Sequence, residues 1–222
     1  MRIRPLIIVG AVIVLAMLLM SAWAWFQIPD DAQIPVHWGP SGEADAFGPK
    51  WLGLVGLPLV AIGVLAVLSL IPRIEPRREH LERSSTAYNA IGIAVLGLMA
   101  AIHGFAVLAA VGHAANIAPV AGGGVGVLFI VIGNFLGKTR SNWFFGIRTP
   151  WTLSSERAWS RTHRLGGYLF IALGVAMLVA AFLLPPEAFI WIVLIGVVGL
   201  VGGLFAYSYL VWRTDPDRRT FS

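Results

Sequence analysis

The sequence predicts an all-α, polytopic membrane bundle of six transmembrane helices with both termini cytoplasmic, and three observations lead there. The chain has 222 residues, of which 58% are hydrophobic and 12% charged, about half the charged share of a soluble domain. Six apolar stretches are each long enough to cross ~30 Å of hydrocarbon as a helix, which satisfies its own backbone hydrogen bonds in lipid. Every Lys and Arg except Lys50 falls on one side of the resulting weave, the asymmetry that keeps basic loops in the cytoplasm.

The first span is expected from about Pro5 to Phe26. Its basic start resembles a signal peptide, but the apolar run outlasts an h-region of roughly 7–15 residues and no small-x-small cleavage site follows. It is read as a retained helix.

An outer loop of about residues 27–50 comes next and contains IPVHWGPSGEADAFGPKW. Gly39-Pro40-Ser41-Gly42 favours a tight turn, and Gly48-Pro49 ends extended structure before the second span, giving a short hairpin-like excursion. His37, Glu43, Asp45 and Lys50 are displayed on it. Trp38, Phe47 and Trp51 are placed for the membrane interface, where aromatic rings concentrate. Three readings stay open: a structural cap over the helix ends, a recognition surface for something arriving from outside, or a metal site from His37, Glu43 and Asp45. The last lacks the second His of a strong zinc spacing.

The second span runs from Trp51 to Ile71, with Pro58 expected to bend it. The third, Thr86–Gly112, and fourth, Ile117–Gly137, form one tight antiparallel pair; the fifth, Leu165–Leu184, and sixth, Ala188–Trp212, form another. Gly133 with Gly137 and Gly199 with Gly203 have the spacing that lets helix backbones approach closely in lipid. Gly122, Gly123, Gly124 and Gly126 crowd the outer half of the fourth span, where they loosen it or make room for a neighbouring chain or ligand. His80 and His113 are expected in solvent. His103 lies deep in the third span, a default place to look for function, with a hydrogen bond across helices as its plainer role.

The inner loop, residues 138–164, is the other informative stretch. Thr149-Pro150 is expected to be extended, and Ser154 or Ser155 to cap a helix with Glu156 in its first turn. Arg157, Arg161 and Arg164 share one face of that helix, and Trp159 and His163 another. This reads as an amphipathic helix along the inner leaflet running into the fifth span. It serves either as a lipid anchor or as a docking platform for a cytoplasmic partner. Asn134, Asn142 and Arg148 add polar groups expected to pair under the bundle.

A basic inner face against anionic lipid accounts for the net charge of +5 without direct nucleic-acid binding. Cysteine is absent, which excludes disulfides and thiol chemistry. The spans hold almost no acids and no nucleophile with its base, so an enzyme is not expected, nor a metal or cofactor. A carrier of a small solute or lipid is the alternative, resting on His103, Asn134 and broken helices, but neither inverted-repeat symmetry nor an intramembrane carboxylate supports it.

Two motifs carry a family resemblance. Ile34, Pro35, His37, Trp38, Gly42, Phe47 and Lys50 resemble the outer-loop pattern of DUF1648. Gly133, Asn134, Lys138, Asn142, the run GIRTPWTL from Gly146 to Leu153, Trp159, Thr162, His163 and Gly166 resemble the signature of the SdpI family. The resemblance implies a DUF1648-like region over 1–72 and an SdpI-like four-helix region over 73–222. It further implies a bacterial inner-membrane immunity protein that protects against a secreted toxic peptide and signals by holding an ArsR-type autorepressor at the membrane. Toxin recognition would then fall to His37, Trp38, Glu43, Asp45, Phe47 and Lys50. Partner contact would fall to Asn134, Asn142, Arg148, Thr149, Pro150, Trp151, Trp159 and His163.

Overall fold

The computed structural model describes residues 3–39, 41–113 and 117–218. Arg2, Pro40, Arg219 and the connection at 114–116 lie outside the described residues. Six helices of membrane length are present among those described: α1 (Arg4–Trp25), α2 (Lys50–Ile74), α4 (Ser85–Ala110), α5 (Ile117–Leu136), α7 (Glu156–Leu183) and α8 (Pro186–Arg213). Two short helices, α3 (Arg78–Arg83) and α6 (Pro150–Ser154), lie between them. Proline sits in the first turn of α1, α6 and α8, where its missing N–H costs nothing.

The outer loop folds as an antiparallel β-hairpin of β1 (Gln33–Trp38) and β2 (Ala44–Pro49), with a bulge between Pro35 and His37. It is a local ribbon, and the bundle itself is all-α. With six helices of membrane length, the start of α1 and the end of α8 share one face with residues 137–156, and the hairpin occupies the other.

Helices α1, α2 and α4 form one group around Leu6, Met17, Ala61, Tyr88 and Leu96, with a second apolar cluster of Ala24, Ile28, Ile34, Leu54 and Val107 beneath the hairpin. Helices α5, α7 and α8 form the other group, and α4 packs on α5 to join them. Large apolar side chains such as Ile8, Leu19, Val60, Ile195 and Val198 point outward, as a hydrocarbon solvent requires.

The glycines divide in a way that spacing alone does not reveal. A Cβ on Gly133 would lie 2.6 Å from Gly167 O, and one on Gly126 would lie 2.7 Å from Gly174 O, so α5 and α7 touch backbone to backbone. Gly122, Gly123 and Gly124 face Phe189, Phe182 and Leu98, so the whole crowd on α5 serves packing. A Cβ on Gly199 or Gly203 would meet nothing within 4 Å; their face of α8 is exposed and packs on nothing among the described residues. Pro58 is buried within a continuous α2.

The expected surface helix along the inner leaflet is corrected. Residues 156–164 are the first turns of a single uninterrupted α7, because Ala158, Trp159, Thr162 and His163 are buried against the loop before α6. Gly166 and Gly167 do not break the helix, since each lies against packed neighbours.

Candidate functional site

The hairpin is seated by two contacts. Ile34 is buried at 2% exposure and packs over Gly53, where a Cβ would come within 2.5 Å of it. Lys50, the first residue of α2, is turned inward at 5% exposure. Its ammonium donates to Ile28 O at 2.6 Å and to Asp30 at 2.8 Å, and lies 4.7 Å above the Trp25 ring. Lys50, expected among the recognition residues, is therefore a clamp joining the ends of α1 and α2.

The hydrogen bond from Lys50, then its charge, holds the Asp30 carboxyl below the usual carboxylate range. A carboxylate with a lowered folded value contributes stability above its unfolded value and loses it as pH falls through the folded one. The clamp is thus expected to persist through neutral and mildly acidic pH and to loosen only below the ordinary carboxylate range. Water screens the pair because Asp30 is 94% exposed, so the effect is small. An acid titration of Trp25 fluorescence checks it: the transition should be present in the native chain and absent in Asp30→Asn.

His37 and Asp45 stand in solvent at the hairpin tip, Nδ1 to Oδ1 at 2.5 Å. Glu43 is exposed and outside that pair; its backbone oxygen accepts from Gly39 N at 2.9 Å. The turn closes with Gly42 at φ 81°. Phe47 is 57% exposed, and Trp38 is half-buried beside α5.

The opposite face carries a connected polar platform. Glu75, at 5% exposure, accepts from Arg77 N at 2.9 Å and from Trp143 N at 3.0 Å. Arg77 donates to Ser141 Oγ and to Leu153 O. His80 donates through Nδ1 to Ser141 O at 2.8 Å, so this residue, expected in solvent, is part of the platform. Ser84 Oγ accepts from Arg140 N at 2.9 Å. Four residues of the α2–α4 corner thereby hold the stretch that follows α5.

Asn142 is fully buried. Its amide donates to Arg140 O at 2.9 Å, and its oxygen accepts from Phe144 N at 3.1 Å and Phe145 N at 2.7 Å. His163 donates from Nδ1 to Trp159 O at 2.8 Å and accepts at Nε2 from Ile147 N at 2.9 Å. One carbonyl and one N–H partner fix the tautomer. Trp159 stacks on that ring at 3.9 Å and donates to Thr139 O at 3.0 Å. Gly146 has φ 114° and passes so close to His163 that a Cβ would lie 2.5 Å from Nε2, which leaves room for glycine alone.

Thr149 and Thr152 form a reciprocal capping box at α6, and Thr149 also donates to Ser208 Oγ of α8 at 3.1 Å. Ser155 caps α7 through Ala158 N at 2.9 Å and donates to the buried Asp215. Trp151 lies edge-on to Phe205 and Tyr209. Most of the partner-contact residues expected from sequence are thus internal fasteners. Arg148 and Pro150 are exposed, as are Arg157 and Arg161. Asn134 is also exposed but stands on the α5–α7 side near Lys138 and Arg164, so it does not pair with Asn142 or Arg148. A cavity of about 570 Å³ lined by Arg77, His80, Glu156, Arg157 and Asp215 opens on this face.

Glu75, Ser84, Ser208 and Asp215 were not singled out by sequence reasoning. A lone acid between two prolines at the end of an apolar run, as in IPRIEPRR, is the signal that marks Glu75.

His103 ties three helices together. It is 1% exposed, with Nε2 2.9 Å from Ser21 Oγ and 3.2 Å from Met17 O, and Ser21 Oγ donates to Leu54 O at 2.6 Å. The hydrogen bond across helices expected from sequence is present.

Residues 138–208 match the SdpI/YfhL protein family, and residues 12–62 match a domain of unknown function, DUF1648. A Bacillus subtilis (strain 168) protein named "Immunity protein SdpI" is 26% identical over 204 residues, covering 91% of this chain and 94% of that protein. No solved structure matches the chain. With both matched regions in order and six helices of membrane length around them, the chain is similar to the SdpI family of integral membrane proteins, with a DUF1648-like region ahead of its SdpI-like region.

Proposed function

We propose that this protein confers immunity to a secreted toxic peptide at the bacterial inner membrane. The hairpin faces outward, and both termini face the cytoplasm with the polar platform. The observation that carries the reading is similarity over 91% of the chain to a relative named as an immunity protein. The confinement of Lys and Arg, Lys50 apart, to the platform side supports the orientation. On this reading the protein binds and does not catalyse.

The exposed His37–Asp45 pair, with Trp38, Glu43 and Phe47, forms the outward recognition surface. Arg148, Pro150 and Arg157 form the inward one, where an ArsR-type autorepressor is held. Two bundle states must bind the peptide differently for the faces to communicate, since a ligand shifts an equilibrium only by its differential affinity.

Survival of a toxin-sensitive bacterium during challenge with the secreted peptide tests the reading at matched membrane levels. The native chain should protect, and a hairpin lacking residues 38–47 should not. Arg148→Ala should still protect while releasing the repressor. A sensitive cell left unprotected by the native chain would end the immunity assignment.

A further inference from the structure

Where α5 and α7 reach the platform side, the seam between them opens into a notch of about 170 Å³. Asn134 and Lys138 border it from the α5 side, and Arg164, Tyr168 and Ile171 from α7. Gly133, Gly137 and Gly167 give it depth, because they contribute no side chain to fill it.

Both cations stand where hydrocarbon ends. From Leu165 to Leu183 α7 carries no acidic or basic side chain, a stretch of about 28 Å at the rise of a helix and close to the thickness of a bilayer core. Arg164 is the residue before it. The 20 residues of α5 likewise hold no charge, and Lys138 comes two positions after its last residue, Leu136. The notch therefore lies at the level of phospholipid headgroups, and Ile171, two turns beyond Arg164 and about 10 Å deeper, lies at the level of the acyl chains.

The charge here is uncompensated. Two positive side chains and no carboxylate line the notch. Among the described residues the side chains of Lys138, Arg164 and Asn134 make no hydrogen bond or ion pair. Lys138 Nζ lies 5.1 Å from the centre of the Phe135 ring, which holds the ammonium in place without neutralising it. Other cations of this face are engaged: Arg77 with Ser141 and Leu153, and Arg218 with Arg213 O and Asp215 O. Arg157 shares its cavity with Glu156 and Asp215. The notch alone combines a bare positive pair with an apolar continuation into the membrane. Arginine presents a fork that fits phosphate, and lysine a point charge. Free phosphate would leave the Ile171 end uncovered, and phosphatidylcholine would bring a cation of its own toward the pair.

We propose that this notch binds one anionic phospholipid of the phosphatidylglycerol type. Its phosphodiester lies between Lys138 and Arg164, its glycerol hydroxyls meet Asn134 and Tyr168, and one acyl chain follows the α5–α7 seam past Ile171. A lipid so placed bridges the two helices where the stretch leading to α6 begins.

The test uses the full chain in phosphatidylcholine vesicles that carry a small, varied fraction of phosphatidylglycerol with a photoreactive acyl chain. Labels should map to Tyr168 and Ile171. Lys138→Gln with Arg164→Gln should weaken capture about 30-fold, the usual worth of two basic residues at an anionic headgroup. Arg157→Gln with Arg161→Gln removes the same charge from the same helix outside the notch and should leave capture unchanged. Gly137→Leu fills the notch with both cations in place and should also weaken it. A Cβ there meets Arg164 Cα at 3.5 Å, an ordinary contact, so the helices stay together.

Equal loss from the two charge-removing pairs would overturn the proposal, since a diffuse basic surface would then be the attractant. Labelling of Tyr168 and Ile171 that survives Lys138→Gln with Arg164→Gln, or that survives Gly137→Leu, would do the same. So would equal labelling by photoreactive phosphatidylcholine. Inorganic phosphate should not displace the lipid at matched ionic strength; displacement would make this a site for the free anion.

Discussion

Gly133→Val is expected to prevent assembly of the α5–α7 pair, whereas Gly203→Ala should leave the protein unchanged. A Cβ at position 133 would lie 2.6 Å from Gly167 O and 2.8 Å from Ile171 N. Those are backbone atoms and cannot rotate aside, so the helices themselves must separate. Separation also opens the Gly126–Gly174 contact on the same seam. In lipid no hydrophobic force restores the pairing, and close packing supplies most of the association. The cost is about 3 kcal/mol or more, at the upper end of overpacking. Thermal unfolding in detergent followed by size exclusion would show a large fall in midpoint or no folded fraction for Gly133→Val. A midpoint equal to that of the native chain would mean that the two backbones do not touch at this seam. Gly203 has open space around it, so its substitution is the control for a glycine change as such.

Asn142→Leu is the second change with a large expected effect. The side chain is fully buried and serves three backbone groups, at Arg140, Phe144 and Phe145. Leucine has similar bulk but no polar atom, so all three groups lose their partner where water does not reach them easily. At about 1–3 kcal/mol for each buried unsatisfied group, the stretch between α5 and α6 should unfold locally while the membrane helices persist. Hydrogen exchange of the Phe144 and Phe145 amides and protease cleavage within 138–149 would both rise sharply. Unchanged protection of those two amides would show that Asn142 does not hold this stretch.

Much of this architecture was legible because lipid simplifies the reading. Apolar length set the six spans, and Lys and Arg set their expected orientation. Gly39 to Gly42 and Gly48-Pro49 marked the hairpin through their turn chemistry. What was not legible depended on which neighbours meet. The spacing of Gly133 and Gly137 equals that of Gly199 and Gly203, yet only the first pair faces another helix. The Trp159–His163 face looked ready for lipid because apolar and amphipathic residues suit either a membrane surface or a buried seam. Its hydrogen bonds to Thr139 and Ile147 decide for the seam. Lys50 stood out as the sole cation on its side, but sequence could not show that its charge points inward to Ile28 and Asp30.

The polar platform has a consequence for the order in which the protein is made. Glu75, Arg77, His80 and Ser84 lie between the two family regions, which cover 12–62 and 138–208. All four find partners among residues 140–153. A ribosome that has delivered α1 to α4 has therefore produced a half-finished joint, with a buried carboxylate whose mate is still unsynthesised. Completion of the second region closes that joint: a chain truncated before Trp143 leaves Glu75 without its cross-region partner, while a chain severed between α4 and α5 still holds both sides of the joint.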